Sequence, residues 1–336
     1  MVRIKDIALK CGVSIATVSK ALNHSSEISV KTTEKIIQVA NEMGYIANSN
    51  ARSLKTNRSY NLGLLFVDPT KSGLEHEYFS TILNSIKDHA EQLGYDVTFI
   101  SDKIGGTKKS YLTHARYRAC DGVIVVTADF KDPEIINLVD SSMPTVTIDH
   151  AFHSRTSIMS DNISGLDEIV RHVVGLGHKK IAYIHGEDTT VTQQRLASFY
   201  KTCAALGIKV PPQYVKQALY HIPKNSGLAT RELLNLENRP TCIIYPDDYS
   251  YMGGLSEIEK HGLKIPEDIS VVGYDGIYLS KILRPMLTTY VQNSEEIGRL
   301  SVSELIELIE NPLTYIPKEV HVKGHLQIGQ TVKSIK

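Results

Sequence analysis

The chain has 336 residues, with 37 Lys and Arg against 37 Asp and Glu, and 42% of its residues are hydrophobic. No apolar run is long enough to cross a membrane and no secretory apolar segment follows the first residues, so we expect a cytoplasmic protein. The four cysteines lie far apart without a CxxC pair, which predicts free thiols rather than a disulfide framework or a zinc site. The sequence has no phosphate-binding glycine loop, serine nucleophile elbow or metalloprotease motif, and it predicts neither an enzyme nor a cofactor.

The charges are unevenly distributed although the whole chain is neutral. Residues 1–60 contain nine Lys and Arg against four Asp and Glu, a net charge of +5, and the remainder therefore carries −5. A basic N-terminal segment on a larger acidic body is typical of a phosphate-contacting module joined to a ligand-responsive domain.

The first residues predict a helix-turn-helix. Ile4, Ile7 and Ala8 have the i, i+3, i+4 spacing of one apolar helix face, and Gly12 permits a turn. Ser14 is a suitable N-cap for a second helix. Val18 and Leu22 would form the buried face of that helix. A third helix would begin after Ser29 and end at Gly44. A three-helix bundle without a ligand is the alternative.

The exposed face of the second helix is suited to the major groove of DNA. Its side chains would be Ile15, Ala16, Thr17, Ser19 and Lys20. Small residues allow a close approach, Ala16 and the Thr17 methyl can meet thymine methyls, and Lys20 can donate to guanine or phosphate.

A polar segment at residues 47–60 follows the predicted helices. It is too short and too polar to form a stable helix alone. Two copies meeting on DNA could fold together, with Leu54 as an apolar wedge in the minor groove. A flexible linker is the alternative interpretation.

These segments resemble the headpiece and hinge of the lactose/galactose repressor (LacI/GalR) family. The matching motifs are Val13-Ser14-x-Ala16-Thr17-Val18-Ser19, Asn23, Gly44-Tyr45 and Asn48-x-x-Ala51-Arg52-x-Leu54. The resemblance implies that Leu54 intercalates at the operator centre. Lys20 stands where the family more often has arginine, and base readout there would be looser because lysine lacks the bidentate fork. The predicted DNA-binding residues are Ser14, Ile15, Ala16, Thr17, Ser19, Lys20, Asn23, Ser29, Tyr45, Asn48, Ala51 and Leu54.

Beyond Tyr60, short β-branched runs alternate with amphipathic stretches, which predicts an α/β body with doubly wound parallel sheets. The predicted strands are Leu62–Val67, Tyr95–Ile100, Gly122–Thr127, Thr145–Asp149, Lys180–His185, Thr241–Tyr245, Ser270–Tyr274 and Thr288–Val291. The strongest helical periodicities run over Tyr78–Leu93, Leu166–Leu176, Gln193–Leu206 and Ser294–Ile309.

The length of the body predicts two lobes with a cleft between them. Asp121-Gly122-Val123-Ile124, Leu176-Gly177-His178, Pro266–Asp275 and Leu287-Thr288-Thr289 resemble the type I periplasmic-binding-protein-like body of the same family. The domain prediction is a headpiece at 1–46, a hinge at 47–60 and a body at 61–336. The first lobe would comprise about 61–160 and 292–322, and the second about 161–291 and 323–336.

Ligands of open α/β sheets lie beyond the carboxyl ends of the strands, where three polar residues stand out. Arg195 opens a helix after one strand, Asp247 follows another, and Asp275 ends a third. An arginine fork and carboxylate acceptors suit vicinal hydroxyls, so a sugar is the predicted effector. The resemblance assigns effector contacts to these residues and to the aromatic pair Tyr78 and Phe79. For each charged residue, a surface ion pair or an N-cap is the alternative.

Departures from the family pattern affect the ligand prediction. Ile222 stands where several relatives have a stacking aromatic, with Tyr220 and His221 just upstream, and the chain has no tryptophan. His150 and His153 lie close in sequence but lack an evident third ligand, so no metal site is predicted.

The sequence therefore predicts a homodimeric repressor of a palindromic double-stranded DNA operator, controlled by a small molecule and without a membrane partner. A dimer is favoured because no leucine heptads follow Gly329. Control by a nucleobase or a partner protein, or a solute-sensing module that does not bind DNA, are the alternatives.

Overall fold

The computed structural model describes residues 2–22, 25–45, 58–68 and 73–336, and it divides into two compact units, Met1–Ser59 and Tyr60–Lys336. The described helices of the first unit are α1 (Ile4–Cys11), α2 (Ile15–Leu22) and α3 (Val30–Glu42). Their apolar faces meet in a core formed by Ile7, Ala8, Val18, Ala21, Ile36 and Ala40.

The predicted turn and caps of the first unit are confirmed. Gly12 has a φ of +70°, a left-handed conformation that glycine adopts without steric cost, and it ends α1. The Ser14 Oγ accepts a hydrogen bond from the Thr17 backbone N–H at 3.0 Å, and Ser29 caps α3 in the same way through Thr32 at 3.3 Å.

The second unit alternates strands with helices. Its strands are β1 (Asn61–Phe66), β2 (Asp96–Ile100), β3 (Lys103–Ile104), β4 (Thr107–Lys108), β5 (Gly122–Thr127), β6 (Thr145–Ile148), β7 (Thr156–Ser160), β8 (Ile181–His185), β9 (Val215–Gln217), β10 (Cys242–Ile244), β11 (Ser270–Asp275), β12 (Thr288–Val291), β13 (Glu319–Val322) and β14 (His325–Gln327). Its helices are α4 (Glu77–Gln92), α5 (Tyr111–Tyr117), α6 (Pro133–Asp140), α7 (Asn162–Gly175), α8 (Thr190–Ala205), α9 (Pro223–Leu234), α10 (Asp248–Lys260), α11 (Tyr278–Ile282) and α12 (Ser294–Glu310).

Twelve of these strands form two six-stranded sheets, and β3 and β4 form a separate antiparallel pair. The first has the order β13-β7-β6-β5-β1-β2 and is parallel throughout. The second has the order β14-β12-β11-β10-β8-β9 and is parallel except for the antiparallel edge strand β14. The predicted α/β class with parallel sheets is confirmed, and the antiparallel edge strand was not predicted.

Each sheet is covered by helices on both faces, which explains why its central strands are continuous apolar runs. In the first lobe, α4 and α12 pack on one face and α5 and α6 on the other. In the second lobe, α7 and α8 cover one face, and α9 and α10 cover the opposite face. No helix within the described ranges is long and apolar enough to span a bilayer.

The chain crosses between the two sheets three times, after β7, after β12 and after β13. The lobes also touch away from these crossovers. The Tyr278 backbone N–H of the second lobe donates to Glu77 of the first at 2.6 Å, and His150 of the first lobe shares a 3.2 Å hydrogen bond with Thr190 of the second. The cleft therefore lies between two lobes that are in contact.

Candidate functional site: an exposed helix face and a buried cleft

The second helix of the first unit exposes most of the side chains predicted to face DNA. Ile15 is 57% exposed, and Ala16 and Lys20 are exposed as well. Thr17 and Ser19 are half-buried. A helix that buries one side and exposes small side chains on the other is suited to insertion into a groove.

Lys20 is not free in this structure, because its ammonium donates to the Glu27 carboxylate. Both side chains are largely exposed, at 46% and 66%. Exposed ion pairs contribute about 0–1 kcal/mol, so a phosphate or a guanine can displace Glu27 at little cost.

The other predicted DNA-binding residues divide into two groups. Ser29 is the N-cap of α3, and the half-buried Tyr45 packs against the three-helix core. Asn23, Asn48, Ala51 and Leu54 lie outside the described residues.

In the second unit, unusual backbone conformations cluster at the cleft. Asp149, His221 and Asp275 have φ values of +55°, +59° and +101°, in the region that non-glycine residues rarely adopt. Residues held in such conformations cost of order 1–3 kcal/mol each and concentrate at functional sites. The three residues follow or end β6, β9 and β11, so both lobes contribute to this cluster.

Arg195 lies in α8 and is buried with its guanidinium fixed on several sides. Its Nε donates to Asn162 Oδ1 at 2.8 Å and one terminal nitrogen donates to the Pro246 carbonyl at 3.0 Å. The Tyr274 ring lies 3.6 Å from the guanidinium carbon, and the Tyr220 ring lies at 5.7 Å. These contacts engage two of the five N–H donors of the guanidinium and hold the group rigid.

Asp247 is the N-cap of α10, so the N-cap alternative describes part of its role. Its Oδ1 accepts from the Ser250 N–H at 2.6 Å, and its Oδ2 accepts from the His221 backbone N–H at 3.0 Å. Burial alone would raise the pKa of Asp247, but the charge of His221 and the hydrogen bonds from His221 and Ser250 outweigh burial and lower the pKa. Asp247 therefore remains ionised at neutral pH.

Asp275 lies at the end of β11 and is linked to a crossover between the lobes. Its Oδ1 accepts a 2.6 Å hydrogen bond from Gln292, and Gln292 also accepts one from the hydroxyl of Ser160, the last residue of β7. Burial, reinforced by the negative charge of Asp247, raises the pKa of Asp275 to about 7. A positively charged or hydrogen-bond-donating ligand would favour the carboxylate form of Asp275.

Tyr78 and Phe79 lie in the first turn of α4, which Glu77 begins. The buried Tyr78 hydroxyl donates to Asp149 Oδ2 at 3.0 Å. Phe79 packs edge-on against Phe66 and His221, with ring centroids 5.4 and 5.8 Å away. Tyr78 thus orients a carboxylate of the first lobe, and Phe79 reaches a side chain of the second.

Comparisons with known proteins agree with this architecture. The family model for bacterial regulatory proteins of the lacI family matches residues 3–48, and the model for a periplasmic binding protein-like domain matches residues 170–332. The chain is 32% identical over 326 residues to the probable HTH-type transcriptional repressor ExuR of Bacillus subtilis, and the alignment covers 95% of each chain. The chain belongs to the LacI family.

Two further relatives extend this LacI-family assignment to the full length. The HTH-type transcriptional repressor PurR of Haemophilus influenzae is 28% identical over 341 residues that cover all of both chains. The solved structure of the lac repressor dimer bound to operator and the anti-inducer ONPF has a TM-score of 0.82, with 26% identity and 99% of each chain covered. This LacI-family protein is a DNA-binding transcriptional repressor.

Several cleft residues of this LacI-family protein were not predicted from its sequence. Asp149 was predicted only as the last residue of the strand Thr145–Asp149. A carboxylate at the end of a strand is the signal that identified Asp275, and the same signal could have identified Asp149. His76 carried no signal, since it lies in no recognisable motif. Ile222, which stands where several relatives have an aromatic residue, precedes α9, whereas Tyr220 and Tyr274 lie against Arg195.

A cavity of about 420 Å³ opens beside the crossovers of the LacI-family body. Tyr78 and Asp275 line it, together with Glu77, Gln292 and Lys323. Arg195, Asp247 and Phe79 do not line this cavity, so the structure divides the predicted effector residues between the cavity and a more closely packed part of the cleft.

Proposed function

We propose that the protein is a homodimer that binds a palindromic operator, and that a sugar bound between the lobes sets its operator affinity. In this proposal two copies of α2 read half-sites related by a two-fold axis. Residues 47–60 connect the DNA-binding unit to β1, with Leu54 as the predicted wedge in the minor groove.

The observation that carries the effector proposal is the fixed position of Arg195 among aromatic rings, at the same sheet edge as Asp275. A sugar offers hydroxyls that both donate and accept hydrogen bonds. Arg195 can only donate, whereas the carboxylate forms of Asp149 and Asp275 accept, so the cleft provides both kinds of partner.

The two lobes supply different parts of this cleft, which is the basis of the proposed control. Asp149 and Tyr78 belong to the first lobe, and Arg195 and Asp275 belong to the second. A ligand touching both lobes would favour one angle between them, and it can shift operator affinity only by its differential affinity for the two arrangements. The similar lac repressor structure, with operator and an anti-inducer bound together, supports a small-molecule regulator.

The experiment begins with selection of operators from a random DNA pool by the full chain. Operator affinity is then measured by fluorescence anisotropy with panels of sugars and of purines. We expect a symmetric selected site, and one sugar that changes operator affinity by about 5- to 150-fold, the usual range of coupling energies.

Three other outcomes would replace this proposal. A response to a purine and to no sugar would make the effector a nucleobase. Specific operator binding without any small-molecule response would favour a partner protein. Equal affinity for all duplexes would leave a solute-sensing module without an operator.

A further inference from the structure

Two histidines from different lobes meet in the cleft. His76 precedes α4 in the first lobe, and His221 lies in the loop before α9 in the second. Their ring centroids are 3.8 Å apart. One ring nitrogen from each histidine and a carboxylate oxygen of Asp275 all lie within 4.8 Å of one another.

The buried ring of His76 lacks hydrogen-bond partners within the described part of the chain. His76 is only 5% exposed, and neither of its ring nitrogens has a hydrogen-bond partner among the described residues. His221 Nδ1 is also buried, and it faces Asp247 Oδ1 at 3.6 Å. Buried polar atoms without partners are rare in folded proteins, and a buried His76 with two unpartnered nitrogens beside His221 and Asp275 indicates a missing ligand.

The chemistry of these groups favours a cation over an anion. Each imidazole can offer the lone pair of a ring nitrogen, and Asp275 offers a carboxylate oxygen. Asp247 adds a second buried carboxyl group, 3.6 Å from His221 Nδ1. An anionic ligand would meet like charge here.

We propose that His76, His221 and Asp275 bind one divalent transition-metal ion, of the class of Zn²⁺, Co²⁺ or Ni²⁺, which links the two lobes. Two imidazoles and one carboxylate are a donor set that suits these ions rather than Mg²⁺ or Ca²⁺. Asp247 acts as a positioning residue, because its Oδ1 lies 3.6 Å from His221 Nδ1 and a carboxylate behind a ligating histidine orients the ring.

Metal binding has a geometric consequence for the lobes. Ligand atoms about 2.0–2.2 Å from a tetrahedral ion are about 3.3–3.6 Å apart. The three ligand atoms now lie within 4.8 Å of one another, so metal binding would shorten any longer separation by at most about 1.5 Å and would hold His76 of the first lobe against the second. A tetrahedral ion would keep its fourth position for water or a hydroxyl. The sequence analysis predicted no metal site because His76 and His221 are far apart in the chain.

The test uses the tag-free full chain after treatment with a chelator. Zn²⁺ is titrated by calorimetry, and Co²⁺ by the visible absorption of its tetrahedral complexes. The variants are His76→Ala, His221→Ala and Asp275→Asn, with Asp247→Asn for positioning. His153→Ala is the matched control, because His153 is an exposed histidine of the same unit.

We expect one ion per chain, and a loss of affinity of about 100-fold or more in each ligand variant, since even outer-shell partners contribute about 10–100-fold. Asp247→Asn should lower the metal affinity by about 10–100-fold. His153→Ala should bind the metal as tightly as the unaltered chain does. Thermal unfolding without metal establishes that each variant folds, and His76→Gln replaces His76→Ala if the latter does not.

Absence of stoichiometric binding by the unaltered chain, or equal affinity in the ligand variants and His153→Ala, would overturn the proposal. The metal site does not depend on the proposed sugar. Operator affinity and the sugar response, measured in the presence of chelator, report separately on the proposed function.

Discussion

The guanidinium of Arg195 lies 3.6 Å from the centroid of the Tyr274 ring, and Tyr274 is directly followed by the strained Asp275. One element, α8, thus supplies the donor, while the end of β11 supplies both its aromatic support and an acceptor. The buried Arg195 is held by Asn162 and by the Pro246 carbonyl before any ligand arrives, and a fixed donor loses little freedom on binding.

This relationship predicts the effect of replacing Arg195. Arg195→Lys keeps a positive charge but loses the planar fork, and charged hydrogen bonds contribute about 1.5–3 kcal/mol each. We expect affinity for the active sugar to fall by about 10- to 100-fold, while operator affinity in the absence of sugar changes less than about threefold. Calorimetry with sugar and anisotropy with operator measure the two quantities.

Arg231→Lys is the control for this change. Arg231 is on the same lobe, and its half-exposed side chain pairs with the buried Glu257 at 2.9 Å. Arg231→Lys should change neither the affinity for the sugar nor the affinity for the operator. Equal losses of sugar and operator affinity in Arg195→Lys would show that Arg195 serves folding instead of recognition.

The hydrogen bonds of Asp248 predict that its replacement lowers the stability of the folded chain. This buried carboxylate accepts from the backbone N–H groups of Gly276 and Ile277 and from the Thr289 hydroxyl, at 2.9, 3.0 and 2.6 Å. Asp248→Ala leaves these donors without their partner, and we expect the free energy of unfolding to fall by about 3 kcal/mol or more. Urea denaturation monitored by circular dichroism measures it.

Two further variants give reference values for the loss of stability in Asp248→Ala. Thr289→Val removes a single donor and should cost about 1 kcal/mol. Asp88→Ala, at an exposed position on α4, should stay within about 0.5 kcal/mol of the unaltered chain. Similar stability of Asp248→Ala and Asp88→Ala would contradict the role assigned to these hydrogen bonds.

The ion pair between Lys20 and Glu27 predicts a gain in DNA affinity. Glu27→Gln removes a negative charge beside the predicted DNA-facing surface and releases Lys20. Because an exposed pair is worth about 0–1 kcal/mol, operator affinity should rise by up to about fivefold at low salt. Anisotropy titrations over a range of salt concentrations provide the measurement. If neither Glu27→Gln nor Lys20→Ala changes the operator affinity, Lys20 does not contact DNA.

Leu54 lies outside the described residues, and its predicted role comes from the family resemblance. Leu54→Ala should weaken operator binding by about 10-fold or more, because a smaller side chain cannot hold a base step open at a cost of a few kcal/mol. Leu313→Ala, at a 99% exposed position, is a control for a change of equal size. Equal operator affinity of the two variants would argue for a plain linker at residues 47–60.

The sequence predicted those parts of the fold whose signals are local. All eight predicted strands are present, because buried parallel strands are read directly as apolar runs such as Gly122–Thr127. The amphipathic helices Tyr78–Leu93 and Ser294–Ile309 differ from α4 and α12 by one residue at most at each end. The strands β3, β4, β9, β13 and β14 were missed because they are short and at most partly buried, and the buried strand β7 was missed because Thr156, Ser157 and Ser160 leave it without a continuous apolar run.

The cleft was predictable only in part, for a physical reason. Asp275 and Asp247 follow strands, so topology alone brings them to one edge of a sheet. His76 and His221 are brought together by the contact of two lobes, and such contacts leave no periodicity in the sequence.

The central claim is that one sugar site between the lobes controls binding to one symmetric operator. The most direct test is an anisotropy titration of the selected operator with the full chain, with and without the active sugar, for the unaltered protein and Arg195→Lys. We predict that the sugar shifts operator affinity by about fivefold or more in the unaltered protein and leaves it unchanged in Arg195→Lys. An equal shift in both proteins would contradict the claim.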